Sequence, residues 1–396
     1  MPLISLQRKP SRHLVVCVLS VGLLGVSWGR LAADDSPAFG DPLPGLRTEE
    51  HQAFEIGLED FLEVETVEDG LGPVFNERSC AACHSVPAIG GDSAVIETRF
   101  GTHTNKQFDP LLSGGGSLLQ TDGIGPVGDC VIAGETVPPE ATVVAERKTT
   151  PLFGLGLIEA IPDGALHRVA ASQPKAIRGR VHQVQDVGQP TRPGRFGHKA
   201  QAATLMQFAG DAYLNEMGIT SPNFPVENCP NGDCSLLSCD PVPDLEDDGA
   251  GVQAFTDFMR LLAPPPRGPI TPEARDGEQV FSRIGCAGCH VPTWTAGASD
   301  IKAISGATFH PYSDFLLHDM GELGDGIEQG QASGTQMRTM PLWGLRVRQS
   351  FLHDGRADSI EGAILGHEGQ GDRARQQFRA LTPADVEALM AFLQSL

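Results

Sequence analysis

Apolar residues recur at helical spacing in several stretches of this chain. Thr48 to Phe61 opens on a threonine cap, carries Glu49 and Glu50 in its first turn, and places Phe54, Ile56, Leu58 and Phe61 near one face. Ala200 to Met217 sets Leu205, Phe208, Ala209 and Ala212 on one side, with Gly218 as its stop. Gly251 to Leu262 and Leu381 to Leu396 are amphipathic in the same way, and helices are expected over Val74 to His84 and Pro272 to His290. Strand signals are few, at Ala94–Phe100 and Thr142–Arg147. Residues 89 to 125 and 324 to 334 are Gly-rich, and 351 to 371 are dense in His and Gly, so loops are expected there. The reading is a mainly α chain with long Gly/Pro-rich loops. The run Ala263-Pro264-Pro265-Pro266, extending to Pro272, is the clearest linker. It divides the chain into 34–263 and 264–396.

Two short segments give these halves their chemistry. Cys80-Ala-Ala-Cys83-His84 and Cys286-Ala-Gly-Cys289-His290 are both C-x-x-C-H, the attachment signature of a c-type haem. Two thiols about one helical turn apart can add to the two vinyl groups of the porphyrin, and the adjacent histidine supplies an imidazole to the iron. The surroundings repeat as well. Val74-Phe75 and Val280-Phe281 precede the motifs at the same distance. Downstream, Pro151-Leu152-Phe153-Gly154-Leu155 echoes Pro341-Leu342-Trp343-Gly344-Leu345, with Arg147 and Arg338 ahead of them. A duplicated unit is indicated, hence two cytochrome c-like haem domains with two covalently attached haems c.

The length, 396 residues, suffices for two domains with a sizeable core. The N-terminus reads as an export signal over 1–33. Arg8, Lys9 and Arg12 precede an apolar run from Leu14 to Trp28, and Leu31-Ala32-Ala33 offers a cleavage site. An uncleaved anchor is the competing reading; no other stretch is apolar enough to cross a bilayer. The expected location is periplasmic or secreted. Of nine cysteines, Cys17 leaves with the signal and four belong to the haem motifs. Cys130, Cys229, Cys234 and Cys239 remain, an even set that suits two disulfides in an oxidising compartment. Their pairing is left open. Net charge is −21 for the whole chain and near −25 without residues 1–33, which argues against nucleic acid as a partner. It suits a small, basic redox protein, a cytochrome c or cupredoxin, drawn in by long-range attraction.

Beyond the two attachment motifs, the sixth position of each iron decides function. A closed iron transfers electrons and an open one can bind peroxide. For the second haem the candidates are His367, Met320 and His318. For the first they are His103, Met206, His182 and His198, all less well placed, so an open or weakly closed site is expected. Peroxide cleavage needs a base beside the iron. Glu159, flanked by apolar residues, and Glu97 are the candidates, with a surface role competing for each. Trp343 is the candidate electron relay, with core packing as its alternative.

Several segments resemble those of the bacterial di-haem oxidoreductases of peroxidase type, also labelled thiol oxidoreductases. These in turn are similar to di-haem cytochrome c peroxidases and to the di-haem enzyme that matures the quinone cofactor of methylamine dehydrogenase. The resemblance rests on Cys80 to Gly91, Pro151 to Pro162, Gly194-Arg-Phe-Gly, Leu262-Ala-Pro-Pro-Pro-Arg, Leu317-His-Asp-Met-Gly, Pro341 to Leu345 and Phe351-Leu-His-Asp-Gly-Arg-Ala. It implies that the second haem takes its sixth ligand shortly after His353-Asp354-Gly355, which points to His367. The chain departs from the family pattern at His198 and Met337, where tryptophan is expected, and at Met340, where proline is. The thiol-oxidoreductase label finds no support, because each C-x-x-C is followed by histidine. The implied activity is reduction of peroxide, or oxidation of a small organic substrate, with electrons from the redox partner. A di-haem electron carrier with both irons closed and an oxygenase-like enzyme are the alternatives.

Overall fold

Two pairs of crossed helices frame the two haem motifs in this computed structural model, which describes residues 36–396 apart from 106, 187, 243 and 244. The expected signal over 1–33 lies outside the described residues. Thr48–Leu62 packs against Ala250–Leu261, and Pro272–Arg283 packs against Pro383–Leu393. Both crossings depend on a glycine. A Cβ on Gly57 would come within 2.3 Å of the Ala254 carbonyl oxygen, and one on Gly277 within 1.9 Å of that of Ala388. Threonine caps fix three helix starts. Thr204, Thr271 and Thr382 each accept a hydrogen bond from the backbone N–H three residues on, and Pro272 and Pro383 follow the last two.

Four residues after each crossing glycine stands a buried phenylalanine that faces the motif histidine. Phe61 lies 6.1 Å from the His84 ring and Phe281 lies 6.3 Å from the His290 ring. The counterpart of Phe281 is therefore Phe61, and the sequence match of Phe75 to Phe281 is corrected. Residues 63–79 are an insertion in the first unit. Val74–Phe75 is a short strand paired with Asp122–Gly123, and only Cys80–Cys83 is helical in the stretch read as a helix over Val74 to His84. The second motif helix also stops early, at Arg283, before Gly285 turns with φ +99°.

The expectation of a mainly α chain is wrong. Helices, 3-10 turns included, take 35% of the described residues and strands with bridges 16%, a mixed α/β composition. Ile96–Thr104 lies between Gln107–Asp109 and Val143–Lys148 in an antiparallel sheet, with Ile96 opposite Lys148 and Gly101 opposite Val143. Five further two-stranded sheets occur among the described residues. The two expected strands, Ala94–Phe100 and Thr142–Arg147, are found as Ile96–Thr104 and Val143–Lys148, and the first is the central strand of the largest sheet.

Two apolar clusters are present. The larger runs from Leu43 through Phe258 to Phe315 and takes in Trp343, while the smaller is built on Val280, Phe281, Tyr312, Leu389 and Phe392. Trp343 thus comes from the second repeat and packs in the core of the first. Its indole meets Gly154 of the first repeat, where a Cβ would be 2.8 Å from the ring. The linker prolines lie over the same two turns, Pro264 against Gly154 and Pro265 against Gly344. Cys130 pairs with Cys239 and Cys229 with Cys234. No helix among the described residues is long and apolar enough to cross a membrane.

Candidate haem-binding centres

Each motif histidine is oriented in the same way. His84 Nδ1 lies 3.0 Å from the Gly91 carbonyl oxygen, and His290 Nδ1 lies 2.9 Å from that of Tyr312. A carbonyl only accepts, so Nδ1 carries the proton and Nε2 keeps its lone pair for a metal. The acceptor loops are pinned in turn by the repeated segments. Leu152 N–H donates to Gly90 O at 2.8 Å, and Leu342 N–H donates to Pro311 O at 2.8 Å. The P-L-aromatic-G-L turns are therefore clamps on the carbonyls that aim the two imidazoles. Tyr312 itself adopts a left-handed φ of +52°, a conformation costing about 1–3 kcal/mol. Its hydroxyl bond to Glu278 at 2.7 Å and its packing on Phe281 and Phe392 hold it there. Burial pushes both histidines down to about 4, so both imidazoles are neutral near pH 7.

Cys80, Cys83, Cys286 and Cys289 form no disulfides and are half-buried. Burial pushes Cys80, Cys83 and Cys286 up to about 12, so each is a thiol at neutral pH. Thiol pairs beside metal-ready imidazoles, each in an apolar surround with Phe61 or Phe281, are the donor set a c-type haem requires.

The second centre has a facing imidazole. His367 and His290 stand with ring centres 6.4 Å apart. With metal–nitrogen bonds of about 2 Å and nitrogen about 1 Å from each ring centre, two imidazoles that held one metal between them would stand roughly 6 Å apart. His367 Nδ1 donates to Ala363 O at 2.8 Å, which leaves its Nε2 free as well. Met320 lies beside it: a Cβ at Gly371 would be 3.0 Å from His367 Cβ and 3.4 Å from Met320 Cε. His318 is fully engaged. Its Nε2 bonds Asp314 at 2.8 Å and its Nδ1 faces Cys289 Sγ at 3.6 Å. Burial opposes its charge, but Asp314 and Cys289 together outweigh this and hold it up at about 10.

At the first centre the four candidate ligands separate. His103 is exposed and stacked on Phe108. His182 uses both nitrogens, Nδ1 to Lys199 O at 2.8 Å and Nε2 from Gln331 N–H at 3.0 Å. Met206 Sδ lies 3.8 Å from Thr256 Oγ1, on the Ala250–Leu261 helix. His198 donates from Nε2 to Lys148 O at 2.9 Å, and its Nδ1 is buried without a partner. Burial, reinforced by Arg147, pushes it down to about 3.

The two candidate bases part company. Glu159 is held as a structural link: it accepts from Leu205 N–H at 2.7 Å, at the start of Leu205–Met217, and pairs with Arg260 at 2.8 Å. Glu97 belongs to a charged group beside Cys83. It pairs with Arg99 and lies 3.9 Å from Arg147. Burial works against its charge, yet the two arginines hold it below its ordinary value. Glu216, which also acts on Cys83, is pushed up to about 7 by burial and by Glu97. Arg147 continues to Asp325 at 2.6 Å, and Lys199 reaches the same carboxylate at 2.7 Å, all three side chains nearly inaccessible. Sequence inspection missed this network, since only the arginine ahead of each repeated segment hinted at it.

Comparison with known proteins follows the same line. A family model described as "Di-haem oxidoreductase, putative peroxidase" matches residues 139–396. No curated protein matches. Among solved structures, Kuenenia stuttgartiensis hydrazine synthase is similar at 14% identity and a TM-score of 0.43, over 96% of this chain and 99% of that one. A diheme peroxidase from Burkholderia thailandensis is similar at 16% identity and a TM-score of 0.41, over 87% and 86%. A MauG-like protein associated with microbial copper homeostasis gives 14% identity and a TM-score of 0.40, over 91% and 94%. The family match covers well over half of the sequence, and the chain belongs to the di-haem oxidoreductases, enzymes built around two haem groups.

Proposed function

We propose that this chain is an exported peroxidase-like oxidoreductase with both haems bound covalently, one in each half, 34–263 and 264–396. Cys80, Cys83 and His84 would hold the first, and Cys286, Cys289, His290 and His367 the second. The observation that carries the division of labour is the His290–His367 pair, whose spacing suits a closed, six-coordinate iron that exchanges electrons. Bound there, haem supplies one-electron redox chemistry and, where a coordination position is open, a place for peroxide.

The chain's own residues set the rest. Gly91 and Tyr312 carbonyls fix the proximal imidazoles in their metal-binding tautomer. Glu97, held ionised beside Arg99 and Arg147 and close enough to act on Cys83, would be the carboxylate that takes a proton from peroxide and returns it to the other oxygen. Trp343, buried between the two clamps, is the side chain through which electrons would pass. The charge of −21 suits a basic cytochrome c or cupredoxin as donor. Peroxide, or a small organic substrate, is the expected oxidant or reductant at the first centre.

A second reading, a pure electron carrier, is favoured by one feature: the unpartnered Nδ1 of His198 could close the first iron. Low-temperature EPR of the oxidised protein, before and after peroxide, separates the two. A high-spin signal from one haem that vanishes with peroxide supports the enzyme. Two low-spin signals indifferent to peroxide would establish the carrier.

A further inference from the structure

Two arginines meet in a small cavity where the repeated clamps converge. Thr150, Pro151 and Leu155 of the first repeat and Met340, Pro341 and Trp343 of the second line it, together with Arg338 and Arg348. Arg338 is 8% exposed. Its Nε donates to Gly197 O at 2.6 Å and its Nη2 lies 3.0 Å from Met340 Sδ, neither of them an anion. Arg348 Nε is buried with no hydrogen-bond partner.

No carboxylate among the described residues pairs with either guanidinium. The nearest influences are Asp92 on Arg348 and Asp314 on Arg338. Both are committed elsewhere, Asp92 to Lys148 at 3.4 Å and Asp314 to Gln173 at 2.7 Å and His318 at 2.8 Å. Burial depresses both arginines, and Arg338, at about 10, is lowered further by Arg348. Two like charges buried together without a counter-ion are costly, and such a pair persists where an anion completes it.

Each arginine feels the charge of one haem loop without bonding to it: Asp92, which acts on Arg348, follows Gly91, the acceptor for His84, and Asp314, which acts on Arg338, stands two residues after Tyr312, the acceptor for His290. The cavity beside the two guanidiniums is about 20 Å³, room for little more than one water-sized group, so an anion would seat against them by entering with its terminal oxygens. We propose that Arg338 and Arg348 together are the seat of a haem propionate. The pair would then act as a fixed positive charge on haem potential as well as an anchor.

The proposal rests on two haems occupying these pockets, and a pyridine haemochrome count of two per chain checks that separately. The test is a spectroelectrochemical titration of the haem-loaded protein and of Arg338→Gln, Arg348→Gln and Arg348→Lys, without peroxide. Each glutamine variant is expected to shift at least one haem's one-electron equilibrium tenfold toward the oxidised form, a fall of about 59 mV, with Arg348→Lys close to the parent. Full haem content with both potentials within twofold of the parent in both glutamine variants overturns it. So does an unmoved potential with altered peroxide or organic-acid kinetics, which would make the pair a substrate site. Should glutamine variants fail to load haem, restoration of loading by Arg348→Lys supports the proposal, and failure of the lysine variant too assigns the pair to packing. Because potentials are read without peroxide, the inference can fail while peroxide reduction stands, and the reverse.

Discussion

Asp325→Asn should be the most destabilising single change away from the haem motifs, and its cost should depend on pH. Asp325 is a buried carboxylate shared by Arg147 at 2.6 Å and Lys199 at 2.7 Å. Lys199 also donates to the carbonyls of Ser333, Gly334 and Gln336, at 3.1, 3.3 and 2.7 Å, so the triad pins the 325–336 segment to the sheet. Removing one partner of a buried ion pair costs about 3–5 kcal/mol, because the remaining charge is stranded. Lys199 offers a partial escape. Burial outweighs Asp325 and lowers its pKa from 10.5 to about 8, roughly 3 kcal/mol of differential interaction. Without Asp325 the value falls further, and the lysine sheds its proton. The folded value lies below the unfolded one, so the charged lysine weighs against folding below about pH 8, and that burden is relieved as pH rises toward 10.5. The loss in Asp325→Asn is therefore expected near about 3–5 kcal/mol at pH 6 and smaller at pH 9. Urea unfolding of the haem-loaded protein at both values measures it. A loss under about 0.5 kcal/mol at pH 6, or a larger one at pH 9, refutes the reasoning.

Other expectations are more direct. His367→Ala should turn one haem of the two from low to high spin in EPR while haem content stays at two per chain; an unchanged spectrum removes His367 as a ligand. Glu97→Gln should slow peroxide turnover about 10²–10⁴-fold with the resting spectra preserved, and activity near the parent would assign the proton step elsewhere. Loss of the Cys130–Cys239 disulfide, which spans 109 residues, should cost about 5 kcal/mol, against about 2 for Cys229–Cys234, which spans 5. Paired Cys→Ser variants compared by urea midpoint read the difference, and equal losses would argue against a loop-entropy origin.

The parts of this molecule legible in the sequence are those whose causes are local. C-x-x-C-H states its chemistry within five residues, and the helices expected over Ala200 to Met217, Pro272 to His290 and Leu381 to Leu396 are found within those bounds, as Leu205–Met217, Pro272–Arg283 and Pro383–Leu393, whereas the threonine cap expected at Thr48 falls one residue early, on Arg47. Both long strands of the largest sheet are legible, Ala94–Phe100 and Thr142–Arg147 marking Ile96–Thr104 and Val143–Lys148, but their pairing across more than 40 residues is not. Spacing from the motif matches Phe75 to Phe281, because it ignores the longer connection at 63–79 that separates Phe61 from the first motif. The ties of Arg147 and Lys199 to Asp325 are likewise invisible, since 178 residues separate Arg147 from its carboxylate. Glu159 looked like a base because of its apolar neighbours, yet its oxygens serve a helix start and Arg260.

The repeat itself says where the two centres must differ. Both histidines donate to a carbonyl, both acceptor loops receive the leucine N–H of a P-L-aromatic-G-L turn, and both rings face a phenylalanine four residues past a crossing glycine. Proximal sides this alike would give two bound irons similar imidazole donors. Any division of labour then has to come from the opposite faces and from the charges around them. There the halves diverge: the second presents His367 at a ligand's distance, and the first presents Glu97, Arg99 and Arg147 near Cys83, with His198 beside them. A neutral imidazole facing an iron favours electron exchange, whereas an ionised carboxylate between arginines favours proton movement. Substituting Phe61 or Phe281 should accordingly disturb its own centre in equal measure, while substitutions at His367 and Glu97 should have effects of different kinds.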